Sequence, residues 1–379
     1  MERFFFELLQ VAIGNKPCLS AVPTNEEWLL LFQMCQKQAL VGIAFHGVQL
    51  LPKEQRPERS LIIQWYAVAM QIEQRNALTT EVCHLLVKDL DADGLGTCIL
   101  KGQANHQYYD GELAPLRTCG DVDVWVAPKD KGEKQPVRKV IEYFSAKGVM
   151  ESLCYLHIEI TPVKDVPVEV HLRPSFMNEP FCNRRFQSLF GHGSVSWEKC
   201  TCTKEIDGVM MPVLTVDYDV IFQLNHIYRH LIDEGVGLRQ VLDYYMLLRT
   251  WHHDKGMERN ELLCHVRGLG MLRFASALMF VLKEVFAMPS DWMICEASEK
   301  DGRFLLEEIL QSGNFGHYDS RMAQLDVRKG KTSYQIRRAW RRFVRNLHFF
   351  TSYPTEVIWE PIARVEHLWW RKWKLWRWP

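Results

Sequence analysis

The sequence lacks the segments that would export a protein or anchor it in a membrane. Its N-terminal apolar stretch is too short to span a bilayer and is interrupted by Glu7 and Gln10. A basic region followed by a small-residue cleavage site is also missing, so we expect no secretory leader. No internal repeat or low-complexity tract is present, which argues against solenoid and disordered proteins.

The sequence also lacks the paired cysteines of a disulfide framework or a structural zinc site. Its eleven cysteines are an odd number and show no regular spacing. Cys200 and Cys202 lie close together, but a closed zinc site needs four ligands and no second pair is nearby. We therefore expect reduced, mostly buried thiols in a cytoplasmic globular protein. Its 379 residues, 47% hydrophobic and 24% charged, suffice for two or three domains.

What the sequence does contain is a short strand with acids on one face. Asp121 and Asp123 alternate with Val122 and Val124. Side chains alternate across a strand, so both carboxylates point to one side and the valines to the other. Two like charges repel, which favours a cation between them, and oxygen ligands suit Mg2+ or Mn2+. The alternative interpretation is the solvated face of an edge strand.

A phosphate-binding segment precedes this strand. An apolar, β-branched run predicts a strand that ends at Lys101-Gly102, and a polar stretch typical of a helix begins at Gln103. Free backbone N–H groups at a helix start face any anion that the glycine allows to approach, and Lys101 adds a charge. Arg117 offers a second cation for a triphosphate, although a surface ion pair with Glu112 would explain it equally well.

A third acid lies on a later strand. Residues 153–160 and 166–172 are strand-like and are separated by a turn-like segment. In the second run the apolar residues alternate with Glu169, which predicts that its carboxylate points to the polar face. Glu159, at the end of the first run, is the reserve candidate for the third acid.

In this order the motifs resemble those of the DNA polymerase beta-like nucleotidyltransferases, and more narrowly the bacterial branch described as uncharacterised nucleotidyltransferases. The resemblance covers about residues 75–250 and continues in a helical segment after the acids. One departure is Gln103, since the superfamily usually has glycine or serine at that position. The matching segments are Lys101-Gly102, Tyr108-Tyr109-Asp110, Arg117, Gly120-Asp121-Val122-Asp123-Val124, Val168-Glu169-Val170-His171, and residues 225–230 and 235–243.

The resemblance implies an α+β fold in which a small mixed β-sheet forms the nucleotidyltransferase core. Helices are expected before it, beginning where Thr24 and Glu27 predict a capped helix start, and the pattern beyond residue 207 predicts helix for the remainder. We therefore expect an N-terminal helical region packed on the core, the core itself, a C-terminal helical domain and a basic helical tail, at residues 1–94, 95–206, 207–320 and 321–379.

The resemblance further implies transfer of a nucleoside monophosphate from a nucleoside triphosphate to an unidentified acceptor hydroxyl, with release of pyrophosphate. Asp121 and Asp123 would hold two Mg2+ (or Mn2+) ions, and Glu169 would bind the second ion beside the acceptor. A catalytically inactive nucleotide-binding or membrane-associated interaction protein on the same fold is the alternative. The residues expected to contact the nucleotide are Lys101, Gly102, Gln103, Arg117, Gly120, His226, His230 and Arg239.

His226 and His230 lie four residues apart and so share one face of a helix. A metal site would need further ligands that the segment does not supply, so hydrogen-bonded histidines inside a helical domain are the favoured interpretation. A third interpretation places both histidines with Arg239 on the acceptor or phosphate side of the cleft, with Asp243 orienting Arg239 or His230.

The last 59 residues differ from the rest in charge. Residues 321–379 contain 14 lysines or arginines, 4 aspartates or glutamates and seven of the thirteen tryptophans. Because the whole chain is neutral, this tail carries about +10 and residues 1–320 about −10. The composition suits an anionic membrane surface at the inner face of the membrane. Packing on the protein's own acidic body is an equal alternative, and nucleic-acid contact is the weakest, since no RNA-binding motif accompanies the tail.

Overall fold

The computed structural model describes residues 1–130, 132–190, 194–254, 256–316, 318 and 331–377, without the side chains of 194–196, 331–338 and 374–377. Residues 321–330, 378 and 379 of the predicted basic tail therefore lie outside the described residues. All eleven cysteines are free thiols, as expected.

One seven-stranded sheet forms the centre of the described chain. Its strands run in the order β3-β4-β5-β2-β1-β7-β6. β2 pairs parallel to β5 and β1 parallel to β7, while the other neighbours are antiparallel. The strands are β1 (Leu95–Leu100), β2 (Val122–Pro128), β3 (Met150–Leu153), β4 (His157–Val163), β5 (Val166–His171), β6 (Thr201–Ile206) and β7 (Val209–Leu214).

Helices precede, interrupt and follow this sheet, which confirms the predicted α+β class with a mixed sheet and helical flanks. The helices are α1 (Glu2–Ala12), α2 (Asn25–Lys37), α3 (Val41–Leu50), α4 (Arg59–Ala92), α5 (Pro136–Ala146), α6 (Pro180–Phe190), α7 (Ser194–Cys200), α8 (Val216–Asp233), α9 (Leu238–Asp254), α10 (Arg259–Gly268), α11 (Leu272–Phe286), α12 (Glu299–Ser312), α13 (Lys331–Phe349) and α14 (Pro354–Arg377). Helix α2 begins as predicted, because Thr24 and Glu27 each bond the other's backbone N–H.

The valines of β2 and β5 point to the apolar face of the sheet. Val124 and Val170 are fully buried and belong to the same cluster as Cys83 of α4 and Val140 and Phe144 of α5. The alternation of valine with acid in these strands therefore divides the sheet into an apolar face and a polar face.

Helices α8 and α9 lie against the opposite face. Tyr108, in a 3-10 helix that follows β1, donates a hydrogen bond to Asp219 of α8 (2.8 Å), and the next residue, Tyr109, donates to Asp243 of α9 (2.7 Å). Trp125 of β2 is fully buried in the large core that these helices share. Two tyrosine hydroxyls thus tie the helical part of the chain to the segment that precedes the acids.

The expectation of helix directly after residue 207 is wrong for one segment. Val209–Leu214 is β7, which pairs with both β1 and β6. Met211 and Val213 are fully buried in the cluster on the apolar face of the sheet. A six-residue apolar run is too short for a stable helix and is long enough to extend the sheet, so pairing decides its structure.

Helices α13 and α14, here called the C-terminal hairpin, pack one face on the body. Arg345 Nε donates to the carbonyl of Ile232 (2.8 Å), and Arg364 pairs with Asp233 (3.0 Å). Phe349 and Tyr353 are buried between the hairpin and the core. Within the described residues, no helix combines the length and apolar character needed to cross a bilayer.

Candidate active site

Three carboxylates converge where the start of β2 lies beside the middle of β5. Asp123 and Glu169 are direct neighbours in the register of these parallel strands, and Asp121 immediately precedes β2. One oxygen of each carboxylate lies within 4.8 Å of the others. The strand alternation therefore brings together the three acids that the sequence singles out. Asp123 is almost fully buried, whereas Asp121 and Glu169 are half-buried.

Three basic side chains contact these acids. Lys101 Nζ lies 2.9 Å from Asp123 Oδ2, as an ion pair whose angles do not make a hydrogen bond. His171 Nε2 lies 2.8 Å from Asp123 Oδ1 and 3.6 Å from Glu169 Oε2, and His157 Nδ1 lies 3.1 Å from Glu169 Oε2. We call these six residues the strand-end cluster: Lys101, Asp121, Asp123, His157, Glu169 and His171.

Neighbouring charges favour the ionised forms of Lys101, Glu169 and His171. Burial lowers the pKa of His171, but hydrogen bonds with Asp123 and Glu169 outweigh burial and raise that pKa to about 9. Burial raises the pKa of Glu169, but His171, His157 and Lys101 outweigh it and lower that pKa to about 2. The pKa of Lys101 is likewise raised above its ordinary value by the carboxylates, against burial. The side chains thus carry opposite charges in a largely buried place.

The backbone at Lys101 adopts a positive φ that is rare for a residue other than glycine. Lys101 has φ 39° and Gly102 has φ 51°, both in the left-handed region. A non-glycine residue there costs about 1–3 kcal/mol and is typical of functional sites. The helix that follows is a 3-10 helix. The expectation that Gln103 donates to phosphate is wrong here, because its side-chain amide donates to Asn76 O and Thr80 Oγ1, inside α4.

A second ionic group, the helix cluster of Tyr109, Arg117 and Asp243, lies beside the acids. Arg117 donates from Nε and Nη2 to the two oxygens of Asp243 (2.6 and 2.7 Å). The alternative of a surface pair between Arg117 and Glu112 is therefore wrong, and so is the expectation that Asp243 orients Arg239 or His230. Burial raises the pKa of Asp243, but the guanidinium of Arg117 outweighs it and lowers that pKa.

Arg239 and His226 face the same space as the acids, and His230 lies behind them. Arg239 Nη1 donates to Thr118 O (2.8 Å). His226 and His230 contact edge to face, with ring centroids 4.3 Å apart, and His230 Nδ1 lies 3.0 Å from Glu234 Oε1. Burial, aided by nearby positive charge, holds the pKa of His226 well below its ordinary value, so this imidazole is neutral.

One small cavity connects these groups. Its volume is about 30 Å3, which is the space of about one water. Three predicted site residues do not border it, namely Gln103, Glu169 and His230. Glu169 nevertheless lies close to Asp121 and Asp123. The predicted residues that line it are Lys101, Gly102, Arg117, Gly120, Asp121, Asp123, His226 and Arg239.

The sequence interpretation missed His157 and His171 as site residues. His157 lies two residues before Glu159 on β4, and His171 lies two residues after Glu169 on β5. Side chains two residues apart in a strand share one face, so the sequence already indicated that both histidines lie beside the acids. His157, Glu169 and His171 form a second group with ligand atoms within 4.8 Å, which shares Glu169 with the three acids. Carboxylate oxygens suit Mg2+ or Mn2+, and Lys101 already places positive charge among them, so the cluster fits a divalent cation.

The chain matches a known protein family over most of its length. The model of a family described as "Uncharacterised nucleotidyltransferase" matches residues 24–287. A solved structure, an antigenic nucleotidyltransferase-like protein from Paracoccidioides brasiliensis, is 12% identical over 59% of this chain and 95% of its own, with a TM-score of 0.34. No curated protein matches the chain. The family match confirms the resemblance read from the sequence and supports a role in nucleotidyl transfer. This chain belongs to the uncharacterised nucleotidyltransferase family.

Proposed function

We propose that the protein transfers a nucleoside monophosphate from a nucleoside triphosphate to an acceptor hydroxyl in a reaction that depends on Mg2+ or Mn2+. The acceptor oxygen bonds to the α-phosphorus, the bond to the bridging oxygen breaks, pyrophosphate leaves, and the hydroxyl proton passes to solvent. The convergence of Asp121, Asp123 and Glu169 carries this proposal, because three carboxylates in one buried place repel unless a cation lies between them.

The three acids would hold the divalent cations. A bound ion would neutralise phosphate charge and favour ionisation of the acceptor hydroxyl. Lys101 supplies positive charge next to Asp123. The cavity is too small for a triphosphate, and we propose that Lys101 moves away from Asp123 when substrate binds. Its ammonium is then available to the phosphates.

Other residues of the cavity supply donors for the triphosphate. Arg239 borders the cavity, and its Nε makes no hydrogen bond to any of the described residues. Gly120 leaves space beside Asp121, since a Cβ at this position would meet nothing within 4 Å. Arg117 also borders the cavity, but Asp243 holds it by two hydrogen bonds. We therefore assign phosphate binding to Lys101 and Arg239 and a supporting role to Arg117.

The test is release of pyrophosphate from each of the four common nucleoside triphosphates with Mg2+ and cell extract as the source of acceptor. Asp121→Asn combined with Asp123→Asn should abolish release while the fold is kept, because two ligands lose their charge. The matched control is Asp91→Asn combined with Asp93→Asn, two exposed aspartates at the same spacing. Unchanged release from the first double variant would reject the proposal. Nucleotide binding without release in the unaltered protein would instead indicate the inactive, nucleotide-binding alternative.

The C-terminal hairpin supports a second proposal, docking on an anionic membrane surface. One face of each helix exposes apolar side chains at helical spacing, although the opposite face packs on the body. The net charge of about +10 on residues 321–379 complements anionic lipid. The exposed apolar residues are Trp340, Phe343, Val344, Leu347 and Phe350 on or next to α13 and Ile358, Ile362, Val365, Leu368, Trp369 and Trp373 on α14.

Co-sedimentation with vesicles tests the docking. Phe343→Ser combined with Trp369→Ser should lower binding to phosphatidylglycerol vesicles at least about tenfold, because two large apolar side chains no longer enter the interface. Phe181→Ser, at an exposed phenylalanine of α6, is the matched control and should bind like the unaltered protein. Equal binding of all three proteins, or equal binding to phosphatidylcholine vesicles, would contradict the proposal.

A further inference from the structure

A second cavity, larger than the one beside the acids, lies away from them. A cavity of about 480 Å3 separates the start of β4 from the C-terminal hairpin, which is within the range of small-molecule sites. Its volume contrasts with the 30 Å3 beside the acids. The side chains that define its character are Tyr155, Phe176, Arg342, Arg364, His367 and Arg371.

Arginine side chains make the lining of the cavity basic. Arg342, Arg364 and Arg371 line it, from α13 and α14, and Arg364 is also paired with Asp233. Two more arginines, Arg173 and Arg229, lie close enough to act on His367. Burial and the charges of these neighbours lower the pKa of His367 to about 4, so its ring is neutral at physiological pH. Within the described part of the chain, no carboxylate lines this cavity. Its chemistry therefore selects an anion.

A stacked aromatic wall makes the cavity rigid. Tyr155 and His367 stack with ring centroids 4.0 Å apart and planes 8° apart, and Phe176 meets His367 edge to face at 4.6 Å. The guanidinium of Arg173 lies 3.9 Å from the centre of the Tyr155 ring. Stacked rings lose little freedom when a ligand binds, so the wall is preorganised for a small molecule.

A short chain of contacts leads from this cavity to Glu169. Cys154 lines the cavity, and its Sγ accepts a hydrogen bond from His157 N (3.3 Å). His157 Nδ1 in turn lies 3.1 Å from Glu169 Oε2. His157 begins β4 and His171 ends β5, so both lie at the end of the strands that faces the cavity. His157 therefore connects a residue that lines the cavity with the third acid.

We propose that this cavity binds the acceptor, and that the acceptor carries a phosphomonoester. The inference rests on the proposed transfer reaction, since it assigns the acceptor to the side of Glu169. Arginine forks match the oxygens of a phosphate dianion, and the aromatic wall would hold the carbon skeleton. The acceptor hydroxyl would then extend past His157 toward Glu169. A soluble metabolite and a lipid headgroup share this phosphate chemistry.

Titration calorimetry with glycerol 3-phosphate, without nucleotide or divalent metal, tests the soluble source. Arg371→Met should weaken binding about tenfold or more, because it removes a charge-assisted contact. Lys372→Met removes the same charge from the next residue of α14, which does not line the cavity, and should bind like the unaltered protein. The double asparagine variant at Asp121 and Asp123 should also bind normally, so this result is independent of whether transfer occurs.

Vesicles that contain phosphatidic acid, compared with vesicles of phosphatidylglycerol, test the lipid source. Phosphatidic acid offers a phosphomonoester and phosphatidylglycerol a phosphodiester, so a preference for the former that Arg371→Met removes and Lys372→Met keeps would assign the headgroup as the acceptor. The proposal is overturned if neither probe binds, if the two single variants lose binding equally, or if only the variant at Asp121 and Asp123 loses binding. Absence of pyrophosphate release from the unaltered protein, with binding of the probe intact, would reject the transfer reaction alone.

Discussion

The strand-end cluster and the helix cluster lie side by side around one cavity and differ in their charge balance. In the helix cluster a single guanidinium faces a single carboxylate through two hydrogen bonds, and Tyr109 donates to the same acid. In the strand-end cluster three carboxylates share Lys101 and two histidines, and no pair is bidentate. The first arrangement is closed, whereas in the second the three carboxylates share single contacts with Lys101, His157 and His171.

This difference separates structure from chemistry. A buried ion pair with two hydrogen bonds is stabilised by its matched geometry, and its charged groups are not available to a ligand. Three converging carboxylates that are held by single contacts offer oxygens to a divalent cation, which can replace a positive partner. Breaking the helix cluster should therefore damage the fold, and altering the strand-end cluster should damage the reaction.

The largest effect on stability is expected from Asp243→Ala. This change leaves the buried guanidinium of Arg117 without its partner, and removal of one side of a buried ion pair costs about 3–5 kcal/mol of unfolding free energy. Urea unfolding measures the loss. Asp121→Asn is the matched change in the other cluster and should cost little or raise stability, because it relieves repulsion among three acids. Equal losses for the two variants would remove the distinction between the clusters.

A smaller effect, confined to the reaction, is expected from His171→Gln. His171 contacts both Asp123 and Glu169, so its loss should let these ligands rotate. Partners of this kind are worth about 10–100-fold in metal affinity or activity. We expect pyrophosphate release to fall by that factor and the Mg2+ concentration for half-maximal release to rise.

Glu159→Gln is the control for His171→Gln. Glu159 is exposed and lies opposite Glu169 in the register of β4 and β5, but it is not one of the three converging acids. It should leave the rate within about twofold, as expected for a solvated carboxylate. A larger loss from Glu159→Gln than from His171→Gln would make Glu159 the third acid in place of Glu169.

The strand-end acids could be predicted because a period of two fixes the face of every side chain in a short strand. That rule, with the assumption that the two strands are neighbours, predicts that the carboxylates of Asp121, Asp123 and Glu169 converge. Arg117 and Asp243 are 126 residues apart, and no local pattern selects Asp243 over the nearer Glu112. Their pairing follows from how α9 packs on the segment after β1, which local periodicity does not specify.

The arginine-lined cavity was beyond the sequence for the same reason. Its walls come from residues 154–176 and 342–371, which are far apart in the sequence. The positive charge of the tail indicated only that it binds a membrane surface, the protein's own acidic body or a nucleic acid. β7 was missed because its apolar run has no clear period, so that only pairing with β1 and β6 identifies it as a strand. The sequence thus predicts which side chains share the face of one strand. It does not predict which side chains meet when helices pack on distant segments.

The smallest expected effect is on the pH dependence of stability and concerns Glu356, a buried acid of α14. Its carboxyl is bound by backbone N–H groups, whereas the acids of the two clusters contact basic side chains. It accepts a hydrogen bond from Asn178 N (2.8 Å), and burial raises its pKa from 4.5 to about 7. A carboxyl with a higher pKa in the folded chain binds its proton more tightly there, so its contribution to stability falls as pH rises from 4.5 through about 7. Between about pH 6 and pH 8 this group should cost about 1 kcal/mol of unfolding free energy.

Glu356→Gln should remove that share of the pH dependence in urea unfolding, since the amide keeps an acceptor oxygen for Asn178 N but does not ionise. Glu366→Gln, at an exposed position of the same helix, is the matched control and should keep the slope of the unaltered protein. An unchanged slope in Glu356→Gln would mean that backbone donors alone hold a buried carboxylate ionised, as Arg117 holds Asp243. The difference between the helix cluster and the strand-end cluster would then depend on the hydrogen bonds that each acid accepts and not on the presence of a cation.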